Sequence, residues 1–304
     1  MAELKFRKIE ITDKPQAERC LKQSGFKGCE YTFGNNFVWR NIYKVEVCFA
    51  QGFYFARFGS GEGMRFLYPS GEGGMESAMS LLSEYCIENG CPLRIFANRD
   101  IAEKITALYP DARTVYNRDA SDYVYLADDL DSLKGKKYHG KRNHLNRFYE
   151  NDWSFEPLTS ENIGECLEMN EIWCGENIES CEIAADDLQS KRDEQCIVKC
   201  SFKHYGELGY IGGVLRVGGR VQAFTFGEPV SEDCFVVHVE KALRTYQGAY
   251  TAVNREFVKS LGGRYKYINR EDDTGAENLR KAKLSYYPAF LEDKFDITFG
   301  GNGL

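Results

Sequence analysis

No stretch of the 304 residues is long and apolar enough to cross a membrane as a helix, and Met1 to Thr12 alternates charged and apolar residues without the apolar run of a secretory leader. The expected setting is therefore cytoplasmic, with no integral membrane segment, no cationic amphipathic terminus and no lipidation signal. Cysteine is plentiful at eleven, yet the number is odd and no C-x-x-C pair occurs, which argues against a disulfide framework in a reducing compartment. Cys196, Cys200 and His204 share a helical face at i, i+4 and i+8, but a fourth zinc ligand is not evident and no metal is expected. A G-x-S-x-G elbow is missing, and no Cys and His stand in a recognisable pairing, so chemistry through a nucleophilic side chain is not indicated.

What is present is enough apolar material for a full core: 43% hydrophobic and 14% aromatic residues, in a chain long enough for two ordinary domains. A net charge of −7 excludes a general nucleic-acid coat protein, because phosphate binding by counterion release needs a broadly positive face. Any polyanion must dock locally, and one segment suits it. Between Ser132 and Tyr149 stand Lys134, Lys136, Lys137, His139, Lys141, Arg142, His144 and Arg147 with no carboxylate. On a helix of 3.6 residues per turn, Tyr138, Leu145, Phe148 and Tyr149 share a side, and Lys141 and Arg142 fall on it too. Cations inside an apolar stripe predict a partly shielded anion pocket, against the alternative of a snorkelling surface helix.

The chain also repeats itself. Its second half reads as strands Tyr210–Val217, Arg220–Gly227 and Cys234–Val239 around a Gly218-Gly219 turn. A helix over about Tyr246–Ser260 follows, then a strand at Tyr265–Ile268, a second helix from about Ala276, and a last strand near Phe295–Phe299. Asn254 and Arg255 interrupt the otherwise amphipathic first helix, and His238 and Glu240 alternate with valines on one strand. The first half has the same order: strands Val45–Ala50, Phe53–Phe58 and Arg65–Tyr68, a helix Met75–Glu88 and a strand Leu93–Ala97. Junctions recur as well, Asn98-Arg99-Asp100 against Asn269-Arg270-Glu271, and Tyr109-Pro110 against Tyr287-Pro288. The later spacing is longer, an insertion that includes much of Glu271–Asn278, and the enlarged copy is the expected active one. The predicted organisation is an N-terminal copy at 1–133 that is structural and a C-terminal copy at 134–304.

The order β-β-β-α-β-α-β with a mixed, mostly antiparallel sheet flanked by helices resembles the GNAT acyltransferase fold, and two copies resemble the tandem layout of Fem-type peptidyl transferases. The motifs narrow this: Asp122-Tyr123-Val124-Tyr125-Leu126, Leu133-Lys134-Gly135-Lys136-Lys137, Lys141-Arg142-Asn143, Asn269-Arg270-Glu271-Asp272 and Asn278-Leu279-Arg280-Lys281-Ala282-Lys283. They look like the family of the phosphatidylglycerol lysyltransferase C-terminal domain. The resemblance covers roughly Tyr31 to Phe299 and implies an α+β protein of two GNAT-like domains that moves an aminoacyl group from a charged tRNA to a lipid head group, peptide or small amine. Glu271 or Asp272, on the enlarged loop, is the expected group that positions or deprotonates the acceptor. Lys137, Lys141, Arg142, Asn143, Asn269, Arg270, Arg280 and Lys283 are the expected contacts to anionic substrate, including the tRNA acceptor end.

Two other readings compete. Acyl-CoA-dependent relatives hold pyrophosphate on a [QR]-x-x-G-x-[GA] loop, and here Arg244-Thr245-Tyr246-Gln247-Gly248-Ala249 carries its glycine one place late. No cofactor is therefore expected, with coenzyme A the alternative. The third reading is a non-catalytic anion or nucleic-acid-binding protein, favoured if Arg280, Lys283 and the acidic loop are consumed by pairing with each other.

Overall fold

The computed structural model describes residues 3–179 and 185–300, so that Cys181 lies outside the described residues. The chain is α+β and forms two compact units, one of 1–123, 271–281 and 290–304, the other of 124–270 and 282–289. That division differs from a single cut after residue 133, and the strand pairing gives the reason.

In the first unit the strands Glu46–Ala50, Phe53–Phe58 and Arg65–Leu67 run antiparallel in succession, and Arg65–Leu67 then pairs in parallel with Arg94–Asn98. The strand beside Arg94–Asn98 on its other edge is Phe290–Thr298, antiparallel, with Phe295 opposite Ala97 and Ile297 opposite Ile95. In the second unit Trp153–Pro157, Ile211–Val217, Arg220–Pro229 and Cys234–Ala242 form the antiparallel run, and Cys234–Ala242 pairs in parallel with Tyr267–Asn269. There the closing strand is Val124–Leu126, the end of the strand Arg113–Leu126. Each copy of the motif is thus completed by a strand that the sequence supplies to the other half. The repeated β-α-β order was readable; the exchange of last strands was not.

The first unit's core is built from alternate residues of these strands, Phe55, Phe66, Ile95, Ala97 and Ile297, against Met79, Leu82 and Cys86 of the helix Met75–Asn89 and Ile105 of the helix Arg99–Leu108. Asn98 accepts the Ile101 amide at 3.1 Å and starts the latter helix. In the second unit the helix Ala249–Ser260 buries Ala249, Ala252, Val253 and Phe257. The Gly218-Gly219 turn is as expected, both residues having positive φ, which a tight hairpin requires.

One glycine does more than turn the chain. At Gly227 the register against Cys234–Ala242 shifts by one residue, and a Cβ there would stand 1.8 Å from the Val236 carbonyl oxygen. Gly227→Ala should therefore cost about 3 kcal/mol or more, whereas Gly218→Ala, with open space around it, should cost about 1 kcal/mol from backbone strain alone. Urea denaturation midpoints of the two variants compare these directly, and equal shifts would contradict the close-approach account.

Candidate functional site

Within the second unit, the strand Cys234–Ala242 outruns its parallel partner: pairing with Tyr267–Asn269 ends at Val236, and the stretch to Ala242 continues alone on that edge. Side chains fill the notch. Arg270, the residue after the short strand, sends Nη2 to Glu240 Oε1 at 2.7 Å, and Asn254 of the helix Ala249–Ser260 sends Nδ2 to Glu240 Oε2 at 3.0 Å. The ion pair is well shielded, with the Arg270 and Glu240 side chains 12% and 11% exposed. Burial works against the guanidinium charge, but the Glu240 carboxylate and the Tyr125 and Tyr286 rings outweigh it and hold the group firmly protonated. Two polar atoms in this group are buried without a hydrogen-bond partner, Arg270 Nη1 and Asn254 Oδ1.

Above them lies Lys141. Its ammonium sits 3.7 Å from the centroid of the Tyr286 ring, and the Arg270 guanidinium lies 4.8 Å from the same centroid. Burial, reinforced by the nearby Arg270 charge, pulls Lys141 down to about 8, so this amine exchanges a proton close to neutral pH. Tyr286 is itself fixed, its hydroxyl 3.3 Å from that of Thr251 and its carbonyl accepting from the Tyr138 hydroxyl at 2.9 Å. Lys283 completes the frame by donating to the Arg270 carbonyl at 2.6 Å, while Tyr125 donates to the Lys283 carbonyl at 2.8 Å.

Other expected site residues have local work. Arg142 donates to the carbonyls of Leu133 and Gly135, binding its helix, His139–Tyr149, to the turn before it. Lys137 pairs with Asp129 at 3.2 Å, Asn143 hydrogen-bonds His139, and Asn269 is buried within the paired strand. Arg280 belongs to the first unit, where it is clasped by both oxygens of the fully buried Asp273 and by Asp119 at 2.6 Å. Asp273 also receives Tyr123 and the Gly275 amide, and these donors drive its carboxyl far below the usual range against burial that pushes it up. The pairing of Arg280 is the internal network weighed as the alternative above.

Glu271 and Asp272 lie in the first unit, in a loop whose backbone takes positive φ at Glu271 and Thr274. Their charges act on a buried group formed by Lys294, Asp122, Glu30 and Cys29. Lys294 contacts Asp122 at 2.7 Å and Glu30 at 2.8 Å, with a side chain only 3% exposed. Cys29, Glu30 and Asp122 are the three donors that converge as metal ligands would among the described residues, and the Lys294 ammonium already supplies their cation. Cys196, Cys200 and His204 do not converge in this way, and His204 Nδ1 is 2.7 Å from Glu207.

The coenzyme A reading meets a specific obstacle. Gly248 backs onto the basic helix so closely that a Cβ would stand 2.2 Å from the His144 carbonyl oxygen, and Gln247 bonds Arg147 at 2.9 Å and His144 at 3.3 Å. The loop is thus packed against the helix His139–Tyr149 on the side of Gly248.

Sequence reasoning missed Glu240, Asn254 and Tyr286 as members of one site. The available signal was Asn254, a buried polar residue inside an apolar helix stripe and 1% exposed here.

The two units with these clusters define a tandem GNAT-like protein. Residues 21–298 match the family described as "Phosphatidylglycerol lysyltransferase, C-terminal", and the chain belongs to that family. A conserved protein of unknown function from Bacteroides thetaiotaomicron has the same fold, at 32% identity and TM-score 0.91 over 98% of this chain and 100% of that one. A domain named as the C-terminal part of a lysylphosphatidylglycerol synthetase in Agrobacterium fabrum aligns at 13% identity and TM-score 0.65, over 94% and 92% of the two chains. An uncharacterized protein of Mycoplasmoides gallisepticum is 21% identical over 60% of this chain, and the match spans 57% of that protein. Among the described residues no helix is long and apolar enough to cross a membrane.

Glu292 of the first unit supplies a test of the electrostatics. Burial pushes its carboxyl up to about 7, with Glu30 and Asp122 adding to the shift and Asn98 and Lys294 opposing it. A raised carboxyl pKa means that the native state binds the proton more tightly than the unfolded chain. That stabilisation is complete below about pH 4.5 and disappears as pH rises through about 7. Relative to Glu292→Gln, the parent should therefore lose on the order of 2 kcal/mol between pH 5 and pH 8 in urea denaturation. Parallel pH profiles would refute this.

Proposed function

We propose that this chain is a transferase that moves an aminoacyl group from the 3′ end of an aminoacyl-tRNA to an amine or hydroxyl acceptor by direct attack in a ternary complex, with the chemistry in the Glu240 notch. The observation that carries it is Lys141, an amine lowered to about 8 and held over Tyr286 beside a permanently charged arginine. Membership in the phosphatidylglycerol lysyltransferase family supports the reaction class. A lipid head-group hydroxyl is the acceptor that the family name suggests, and a peptide or small amine satisfies the same chemistry.

The donor is already an activated ester, so alignment and charge stabilisation do most of what is needed. The acceptor nitrogen or oxygen attacks the ester carbonyl carbon. The Arg270 charge favours the negative charge that gathers on the carbonyl oxygen. The new carbon–acceptor bond remains when the bond to the ribose oxygen breaks. Neutral Lys141 takes the acceptor's proton and returns it to the departing ribose oxygen, so no net proton is left on the protein. Glu240 holds Arg270 in place throughout. Lys134, Lys136 and Lys137, exposed before the helix His139–Tyr149, offer cationic ground for the donor's phosphates.

The reaction needs Lys141 neutral, so kcat/KM should rise with pH and level off above an inflection near 8. Lys141→Arg, which cannot release its proton at these pH values, should lower the rate about 10²- to 10⁴-fold and erase the inflection. Steady-state transfer of radiolabelled aminoacyl groups across pH 6–9.5 makes the comparison. An unchanged profile in Lys141→Arg would remove Lys141 from the chemistry.

A further inference from the structure

We propose that Tyr286 is the positioning residue for Lys141, its ring face being the seat of the ammonium that forms when Lys141 takes the acceptor's proton. The inference rests on the transferase reading above and adds a residue to its machinery. Lys141 Nζ stands 3.7 Å from the centroid of the Tyr286 ring, contact distance for a cation on an aromatic face, and the Arg270 guanidinium stands 4.8 Å from it. Burial and Arg270 both work against charge on this amine, and Glu240, the carboxylate that favours it, is already engaged by Arg270 and Asn254. Charged groups on the neighbouring elements are occupied elsewhere: Lys137 pairs with Asp129, Arg255 with Glu256, and Lys283 donates to the Arg270 carbonyl. The negative face of the ring therefore supports the ammonium where a second carboxylate is lacking. It has no comparable hold on the neutral amine, because the attraction is to charge.

The ring is fixed from several sides. Its hydroxyl lies 3.3 Å from that of Thr251, the Tyr138 hydroxyl donates to its carbonyl at 2.9 Å, and the Tyr125 ring meets it edge-on with centroids 6.4 Å apart. Tyr286 is 6% exposed, whereas the next residue, Tyr287, is 46% exposed. The backbone takes φ +53° at Tyr287, a left-handed conformation that a bulky side chain rarely adopts. Backbone strain is thus stored directly beside the ring that carries the two cations.

The experiment titrates Lys141 in the full-length chain without substrate, by competitive labelling with trace acetic anhydride and mass spectrometry of the Lys141 peptide. Tyr286→Leu should raise the acid dissociation constant of Lys141 about tenfold, moving its inflection toward lower pH, and Tyr286→Phe should keep the constant within about twofold of the parent. Trifluorophenylalanine introduced at 286 keeps the size of phenylalanine and draws charge from its face. It should raise the constant about threefold over Tyr286→Phe, a comparison that stands even if the leucine variant fails to fold. In kcat/KM against pH, Tyr286→Leu should show the same downward shift, with a plateau about tenfold or more below the parent. An inflection that responds to neither leucine nor fluorination, or a Tyr286→Leu plateau at the parental rate, overturns the assignment. A Lys141 titration that follows the ring in a chain that transfers from no donor would instead overturn the transferase reading and leave Tyr286 as the seat of the ammonium.

Discussion

Everything in the second unit's site depends on a shielded Glu240 carboxylate. Taking such a charge out of water costs several kcal/mol unless partners replace the lost hydration. Arg270 and Asn254 are those partners, one for each oxygen. Their engagement leaves Arg270 Nη1 and Asn254 Oδ1 buried without a hydrogen-bond partner. Lys141 responds to the same centre: it lies near enough to the Arg270 charge, and is shielded enough, to hold its proton loosely. A site of this kind is preorganised by its own electrostatics, which is the property that transfer from an activated ester requires.

The fold creates the opening for that carboxylate. A long strand, Cys234–Ala242, lies beside a three-residue parallel partner, Tyr267–Asn269, and the unpaired remainder leaves an edge where side chains replace backbone pairing. Arg270 follows directly from the end of the short strand. The corresponding junction in the first unit, Asn98-Arg99, uses Asn98 to cap a helix, and Arg99 pairs with Asp293 near the surface. The same sequence motif therefore carries a buried charge in one copy and a surface ion pair in the other.

The local elements were legible because period and turn chemistry are local: alternating apolar strands, the Gly218-Gly219 hairpin and the amphipathic helices all stand close to where the sequence places them. Lys141 was also legible, as a cation on the apolar side of its helix. Arg142 occupies that side too, but its target is a pair of backbone carbonyls in the preceding turn, which a helical wheel does not represent. Arg280 looked equivalent to Lys283. Its partner is set by Asp273, which a tight turn through Gly275 presents to it, whereas Lys283 reaches a main-chain carbonyl. The exchange of closing strands escaped the sequence for a different reason, since period and turn chemistry describe a strand but not the distant strand it pairs with.

The central claim is that Glu240 organises the reacting groups, and Glu240→Gln tests it most directly. Glutamine keeps the shape and removes the charge that holds Arg270, so the account predicts a loss in kcat/KM of about a hundredfold or more at a temperature where the variant is folded, together with a destabilisation of about 3–5 kcal/mol from the buried guanidinium left without its counter-charge. A variant that folds normally and transfers aminoacyl groups at the parental rate would contradict it.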